Sequence, residues 1–182
     1  SSGIAVSYSI VSPGGVATLS GSTVTLSGTV GSVTVKASQA GNGTFDPAES
    51  VYRTFTVRQA SFSVLAQGSS AAHRLGIKSD GTLWAWGSNS AGQIGNGAIT
   101  DVFSPVQITV QTNWSTVSVG GETSAAIRAG TLWTWGRNSS GQLGLGDITN
   151  RSSPVQVGSL TTWTHVAAGN TFMVARQSNG TL

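Results

Sequence analysis

The chain repeats itself at a fixed interval of 49 residues. Residues 83–97 read LWAWGSNSAGQIGNG, and residues 132–146 read LWTWGRNSSGQLGLG. The same interval separates three further pairs of equivalent residues: Trp84 and Trp133, Pro105 and Pro154, and Trp114 and Trp163. A period of this size is typical of solenoids, propellers and arrays, in which each unit buries its apolar face only against its neighbours. Such repeats usually present binding surfaces, so the period favours binding over catalysis.

Within each repeat, short apolar runs alternate with glycine. An aromatic residue opens each unit, at Phe62, Trp114 and Trp163. The first unit then has Asp80-Gly81 between two apolar runs, which is a strong hairpin signal because such a turn needs positive φ. The second unit has the shorter sequence Arg128-Ala129-Gly130, which predicts another type of turn. No window shows a 3.6-residue apolar pattern, so we predict an all-β chain.

The run at residues 82–86 predicts a strand that is buried on both faces. It places Trp84 and Trp86 on one face and Leu83 and Ala85 on the other, and apolar groups on both faces are typical of an enclosed strand. The Ser-Pro-Val-Gln segment that follows the glycine-rich loop predicts an edge strand, because proline is tolerated at the edge of a sheet.

A longer motif combines these features. A histidine and an apolar run precede the pattern Asp-Gly-Thr-Leu-Trp-x-Trp-Gly-x-Asn-x-x-Gly-Gln-Leu-Gly, which resembles the regulator of chromosome condensation repeat. The resemblance runs from about Phe62 to the end of the sequence. It implies blades of a β-propeller, each with four strands. The predicted units are about 62–112, 113–161 and a truncated 162–182, and two and a half blades do not close a ring.

The first 57 residues have a different composition, rich in Ser, Thr, Val and Gly. Alternating runs separated by glycine predict about five short strands in an antiparallel sandwich. Residues 37–57 resemble the immunoglobulin-like modules of bacterial secreted and surface proteins. The predicted fold class is therefore all-β, with a partial immunoglobulin-like sandwich at 1–57, a linker at 58–61 and propeller blades at 62–182. Both domains read as incomplete, which is expected of a fragment of a longer polypeptide or of a subunit completed by strands from neighbours.

Charge and composition exclude several kinds of site. The chain lacks cysteine, which excludes disulfides and thiolate metal sites. The pI near 10 comes from nine basic and six acidic residues, but the basic residues are scattered, whereas nucleic-acid binders concentrate them on one face. The family resemblance implies chromatin binding and nucleotide exchange on a small GTPase for nuclear members, but the loops responsible find no match here. The sequence shows no membrane span.

The titratable residues predict no catalytic, cofactor or metal site. We expect His73 to pack or to hydrogen-bond within a loop, and His165 to be an exposed strand residue. The six carboxylates are spread along the sequence, with neither calcium-loop spacing nor a triad. Four tryptophans could form a carbohydrate platform, but their fixed repeat positions favour a core between blades: Trp84, Trp86, Trp133 and Trp135.

Differences between the repeats indicate where recognition could occur. The framework is constant and the loops differ, as expected if the loops carry binding. The candidate binding residues are Asp101, Phe103, Arg137, Asp147 and Arg151. Phe103 is the conspicuous exposed aromatic, although a residue of this kind is more often a local plug than a binding hot spot.

These observations predict a non-enzymatic, extracellular or cell-surface bacterial protein with a structural or adhesive role. Its expected partners are a protein or glycan on a surface, or copies of itself. The first alternative is a self-assembling fibre or tube subunit whose domains are completed by strands from neighbouring chains. The second is a propeller that binds nucleic acid or a small GTPase.

Overall fold

The computed structural model of the chain describes residues 3–12, 14–58, 60–66, 68 and 70–182. In these residues the regular secondary structure consists of fifteen β-strands. The all-β prediction is therefore confirmed. Within the described ranges, no helix is long and apolar enough to cross a bilayer. The chain forms two compact units, Ser1–Gln59 and Ala60–Leu182.

The first unit contains five strands, which is the number that its alternating pattern predicts. They are β1 (Ser7–Ile10), β2 (Ala17–Ser20), β3 (Thr23–Leu26), β4 (Gly31–Gln39) and β5 (Ala48–Val57). Strand β4 lies between β1 and β5 in an antiparallel sheet, whereas β2 and β3 pair as a hairpin. Val33 on β4 is fully buried. The immunoglobulin-like assignment of this unit stays a prediction.

The second unit contains two complete four-stranded antiparallel blades and one strand pair. The first blade consists of β6 (Phe62–Ala66), β7 (His73–Lys78), β8 (Leu83–Gly87) and β9 (Val102–Gln107). The second consists of β10 (Trp114–Val119), β11 (Thr123–Arg128), β12 (Thr131–Gly136) and β13 (Arg151–Gln156). Strands β14 (Trp163–Ala168) and β15 (Met173–Gln177) form the remaining pair. Each blade has its strands in sequence order, so the predicted partial propeller is confirmed.

Strand β8 has the predicted two-sided burial. Leu83 and Ala85 are fully buried on one face, and Trp84 and Trp86 are half-buried on the other. The outer strands β9 and β13 contain Pro105 and Pro154 at the edge of their sheets. This is the position at which a missing N–H costs no ladder hydrogen bond.

The two blades turn differently between their second and third strands, as predicted. In the first blade, Lys78 N–H donates to the Thr82 carbonyl at 3.0 Å around a three-residue turn that ends in Gly81 with φ of 79°. In the second blade, Arg128 and Thr131 are register partners and only two residues form the turn. Both have positive φ, 46° at Ala129 and 79° at Gly130, which is typical of a type I′ hairpin.

The main hydrophobic core lies between the two complete blades. It joins apolar side chains from both: Leu75, Ile77, Leu83, Ala85 and Ile94 with Trp114, Val117, Val119, Ala126 and Trp135. Trp135 is fully buried, and its indole Nε1 donates to the Gln93 carbonyl at 2.8 Å. The predicted role of this tryptophan between blades is therefore correct.

His73 belongs to the same junction. Ser124 Oγ donates to the Gln93 carbonyl at 2.7 Å, and His73 Nε2 lies 2.8 Å from that hydroxyl oxygen. His73 Nε2, Ser124 Oγ and the Gln93 carbonyl therefore form a continuous hydrogen-bonded chain across the junction of the two blades. Burial, with a smaller contribution from the Arg74 charge, lowers the pKa of His73 to about 4. The histidine has the structural hydrogen-bonding role that the sequence predicts.

Candidate functional site

The five candidate residues lie in or next to two long loops that have the same length and the same sequence motif. They connect the third and fourth strands of each blade, at residues 88–101 and 137–150. Asp101, Arg137 and Asp147 lie within the loops. Phe103 and Arg151 lie at the start of the outer strands β9 and β13.

A buried asparagine holds each loop closed. Asn89 Nδ2 donates to the carbonyls of Ala98 and Thr100 at 3.0 and 2.9 Å. Its Oδ1 accepts the Ile94 N–H at 2.9 Å. The Asn89 side chain, at the start of the loop, is thus hydrogen-bonded to the middle and to the end of the loop. These bonds hold the loop in one conformation.

The second loop repeats this arrangement. Asn138 Nδ2 donates to the Asp147 carbonyl at 2.8 Å, and its Oδ1 accepts the Leu143 N–H at 2.9 Å. Within each loop the motif glutamine accepts a backbone N–H two residues before it, Ala91 in the first case and Ser140 in the second. The asparagine and glutamine of the motif therefore serve the loop's conformation rather than a ligand.

Asp101 has a structural role. Its Oδ1 accepts the Asn89 N–H at 2.8 Å, and Asn150 Oδ1 accepts the Asn138 N–H at the same distance. The side-chain oxygens of Asp101 and Asn150 therefore accept the equivalent backbone N–H in the two blades. The sequence difference at this position changes charge but not geometry.

Asp147 and Arg151 lie together as an ion pair. Arg151 Nη2 is 2.5 Å from Asp147 Oδ2. Asp147 Oδ1 also accepts the Thr149 N–H at 2.8 Å. This backbone hydrogen bond, followed by the contact with Arg151, lowers the pKa of Asp147 below its ordinary value. The two charges compensate each other at the surface.

Arg137 belongs to another cluster. Its Nη1 lies 2.7 Å from Glu122 Oε2, and both line a small polar pocket of about 130 Å³ with Asn170. Ser90 Oγ donates to Glu122 Oε1 at 3.3 Å, which connects the first blade to this pair. The five candidates therefore do not converge on a single site.

Phe103 is 93% exposed, so the reading of this residue as a local plug is wrong. Two further exposed apolar residues lie within the two loops, at positions that we call the loop tips. Ile99 is 66% exposed and Ile148 is 69% exposed, and they lie 49 residues apart. Sequence reasoning missed both, although one signal was available: the same isoleucine recurs at the same position of the two loops.

The tryptophans offer little surface for stacking a sugar. Lys78 Nζ lies 3.4 Å from the ring centroid of Trp84. Trp133 meets Trp114 edge-on, with ring centroids 5.9 Å apart. Trp86 packs against Phe62 at 5.5 Å. These contacts favour packing over a carbohydrate platform.

The remaining titratable groups form no reactive cluster in the part of the chain that the structure describes. No group of three or more His, Cys, Asp or Glu side chains there is placed to hold a metal ion. His165 is exposed on β14, as predicted, with Arg176 Nη2 2.9 Å from its Nδ1. What the surface offers is two rigid loops with exposed apolar tips.

Comparison with protein families gives a match to the regulator of chromosome condensation (RCC1) repeat. The matched segments are residues 80–127 and 129–176, which together make up just over half of the 182 residues. The two segments agree with the two repeats that the sequence itself shows, and they cover the loops described above.

Solved structures share the fold at low sequence identity. Prp20p from Saccharomyces cerevisiae, described with its binding properties to Gsp1p and histones, is 17% identical, with a TM-score of 0.57 over 79% of this chain and 39% of that one. Human WBSCR16 is 18% identical, with a TM-score of 0.58 over 81% of this chain and 45% of that one. Yeast RCC1 (Prp20) bound to Kap60 is 17% identical, with a TM-score of 0.58 over 78% of this chain and 37% of that one. This chain spans less than half of each of these structures.

Proposed function

Because this chain belongs to the regulator of chromosome condensation (RCC1) repeat family, whose propeller fold is a binding module, we propose that it binds a protein through the tips of its blade loops. One observation carries this proposal. Ile99 and Ile148 are exposed at the same position of two successive blades, and Phe103 is exposed beside the first loop. Contiguous exposed apolar surface is typical of interaction sites, and the repeat places these side chains in or beside equivalent loops of successive blades.

The way the loops are held supports the same proposal. Asn89 and Asn138 fix the loop ends through several hydrogen bonds each. A loop that is already ordered loses little conformational entropy on binding, so more of the contact energy remains as affinity. The loop tips are thus preorganised.

The charges favour a partner without a strong charge of its own. All six cations of the second unit have a partner within the protein, as carbonyl groups, carboxylates, aromatic rings or a histidine. Nucleic-acid binding depends on cations that can reach phosphates. A mainly apolar protein surface fits the loop tips better.

A small GTPase or histone partner is the second candidate, because Prp20p is described with binding properties to Gsp1p and histones. The second unit has six basic and four acidic residues. That balance gives no electrostatic attraction to a basic histone, so a GTPase-like protein is the better candidate of the two.

We also propose an extracellular or bacterial cell-surface location, with a structural or adhesive and non-enzymatic role. Only 8% of the residues are charged, and the Ser- and Thr-rich first unit resembles modules of surface proteins. Labelling of intact bacteria with a membrane-impermeant biotin reagent tests this location. Labelling only after lysis would contradict it.

The partner proposal is tested with a triple variant, Ile99→Ser, Phe103→Ser and Ile148→Ser. The matched control is Val110→Ser, which removes an apolar side chain that is 88% exposed outside the loops. A partner is first identified by cross-linking and mass spectrometry, and its binding is then titrated with purified proteins. We expect the triple variant to bind at least about tenfold more weakly, and the control to bind like the natural chain. Equal binding by all three proteins would contradict the proposal.

A further inference from the structure

A cavity of about 250 Å³ lies at the junction of the two complete blades. It is bordered by the loop at residues 88–101 of the first blade, the connection at residues 108–113, and strands β10 to β13 of the second blade. The cavity is thus formed by two blades whose four strands are all present. Ile99, Phe103 and Ile148 do not line it, so the inference below does not depend on the proposed function.

One wall of the cavity is apolar. It is formed by Ile108, Trp114, Trp133 and Pro154. Trp133 Nε1 donates to the Thr131 hydroxyl oxygen at 2.8 Å, and Trp114 Nε1 donates to the Gln111 carbonyl at 3.1 Å. Because both indole donors already have acceptors, these rings offer the cavity apolar surface only. An aromatic group of a ligand packs well against such a wall.

The polar side of the cavity has a positive charge without a matching negative one. Arg128 Nε donates to the Thr112 carbonyl at 3.1 Å, whereas its two Nη atoms make no hydrogen bond or ion pair within the described residues. No Asp or Glu of that part of the chain lines the cavity. Asn96, Gln111 and Ser153 do line it, and their amide and hydroxyl groups are further donors. This side of the cavity therefore favours an anion.

The first blade shows a different use of the same cation. Lys78 and Arg128 are equivalent, because each pairs with the aromatic residue that opens its blade. Lys78 Nζ lies 3.4 Å from the ring centroid of Trp84, which is the equivalent of Trp133. Among the described residues, Arg128 makes no such ring contact. The lysine is thus occupied by its own tryptophan, whereas the arginine is available to a ligand.

The size of the cavity limits the ligand. A water molecule takes up about 30 Å³ in the liquid, so 250 Å³ corresponds to about eight waters and to a ligand of about ten non-hydrogen atoms. A β-strand or a helix is larger than this, and Pro154 has no N–H with which to pair an added strand. We propose that the cavity binds a small aromatic carboxylate. Its ring packs against Trp133, and its carboxylate accepts hydrogen bonds from the guanidinium of Arg128, which suits this anion in shape and charge.

The test uses the full 182-residue chain, isotope-labelled for NMR, and phenylacetate as the ligand. Phenylacetamide is the control without the charge, and acetate is the control without the ring. The indole N–H signals of Trp114 and Trp133 report binding, and that of Trp135, which is fully buried and does not line this cavity, is the internal reference. We expect phenylacetate to shift the first two signals in a saturable manner. Each control should bind at least about tenfold more weakly, because it lacks the charge-assisted hydrogen bonds or the packed ring.

Two variants of equal charge test the location. Arg128→Gln removes the guanidinium beside the cavity, and Arg176→Gln removes one from an exposed position of β15. An unchanged Trp135 signal verifies that each variant is folded. We expect Arg128→Gln to bind phenylacetate at least about tenfold more weakly, and Arg176→Gln to bind it like the natural chain. If Arg128→Gln does not fold, the comparison of phenylacetate with phenylacetamide on the natural chain decides.

The tripeptide Gly-Gly-Phe separates two sources of the same chemistry, because it presents the ring and the carboxylate at the end of a chain. Tighter binding than that of phenylacetate supports the C-terminal residue of a protein as the ligand, and weaker binding supports a free small molecule.

Four results would overturn the proposal. These are the absence of a saturable shift at Trp114 and Trp133, equal binding of phenylacetate and phenylacetamide, equal binding of phenylacetate and acetate, or equal loss of binding in the two variants.

Discussion

The two units of the chain use the same kind of strand but bury very different amounts of side chain. In the described residues of the first unit, Val16 and Val33 are the buried apolar side chains. The second unit has a continuous core that joins two blades and includes the fully buried Trp135. All six tryptophans belong to this second unit.

The difference shows that strand pairing alone does not make a deep core. In the second unit, the large side chain of Trp135 packs against Gly95, which has no side chain and leaves room for it. Aromatic side chains of this size bury more area than any other residue, roughly 150–250 Å² each. The first unit has four aromatic residues of its own, but each of them stays 39–52% exposed, so its strands pair without burying them: Tyr8, Phe45, Tyr52 and Phe55.

The largest expected effect comes from removing the central side chain of the second unit. We expect Trp135→Ala to lower the free energy of unfolding by about 3–5 kcal/mol, because it leaves a cavity and removes an indole hydrogen bond. Tyr52→Ala, at an exposed aromatic of the first unit, should change it by about 0.5 kcal/mol or less. Urea denaturation followed by circular dichroism measures both. Similar losses would show that the two units do not differ as described.

The second prediction uses a buried group for which the first unit has no counterpart, since both histidines lie in the second unit. Burial lowers the pKa of His73 from 6.5 to about 4. The unfolded chain therefore binds more protons between these values, and stability falls as the pH falls from about 6.5 to about 4. The total loss is about 3 kcal/mol, at roughly 1.4 kcal/mol for each unit of pKa.

Urea midpoints between pH 7 and pH 4 test this prediction. His73→Gln is the matched variant, because its side-chain amide reaches the position of the imidazole Nε2 that contacts Ser124, and it does not titrate. It should be less stable at pH 7 but lose less stability on acidification. An unchanged pH dependence in His73→Gln would show that another group is responsible.

The third prediction probes the shallow core of the first unit. Val33→Ala removes two methyl groups from a fully buried position, which costs about 2 kcal/mol. The cost should be smaller than that of Trp135→Ala, because less volume is lost. Hydrogen exchange of the β4 amides measures the change within this unit. A loss of stability equal to that of Trp135→Ala would mean that the core of the first unit contributes as much to stability as the core of the second.

The smallest expected effect concerns a turn of the second unit. Ala129 has φ of 46°, a left-handed conformation that costs a residue with a Cβ about 1 kcal/mol. Asn-Gly is preferred in type I′ turns. Ala129→Asn should therefore raise stability by up to about 1 kcal/mol, and Ala129→Val should lower it. Thermal denaturation of the three proteins gives the order, and a decrease in Ala129→Asn would contradict it.

Much of the second unit could be predicted because the repeat provides its own internal alignment. The positions of glycine and proline predicted the turns and the edge strands. The apolar residues on both faces of β8 predicted that both faces are buried. The first unit has no such alignment. Its pattern predicted the number of strands, but it could not show that β2 pairs with β3 while β4 lies between β1 and β5.

The candidate residues show where sequence reasoning fails in physical terms. Loop differences were interpreted as recognition, yet Asp101 and Asn150 make the same hydrogen bond. Arg151 and Asp147 neutralise each other, which depends on how the loop brings them together. Exposure is equally hard to predict, because nothing in the sequence distinguishes the exposed Ile99 from Ile94, which lies in the same loop and is fully buried.

The carbonyl of Gln93 has a consequence for the order in which the molecule is made. It accepts donors from Ser124 and Trp135, which follow it by 31 and 42 residues. At bacterial and eukaryotic rates of synthesis, the ribosome adds the last of these donors roughly 2–8 s after Gln93. The first blade therefore acquires these two contacts only after the second blade has been made, so their junction forms with a delay of one blade behind translation.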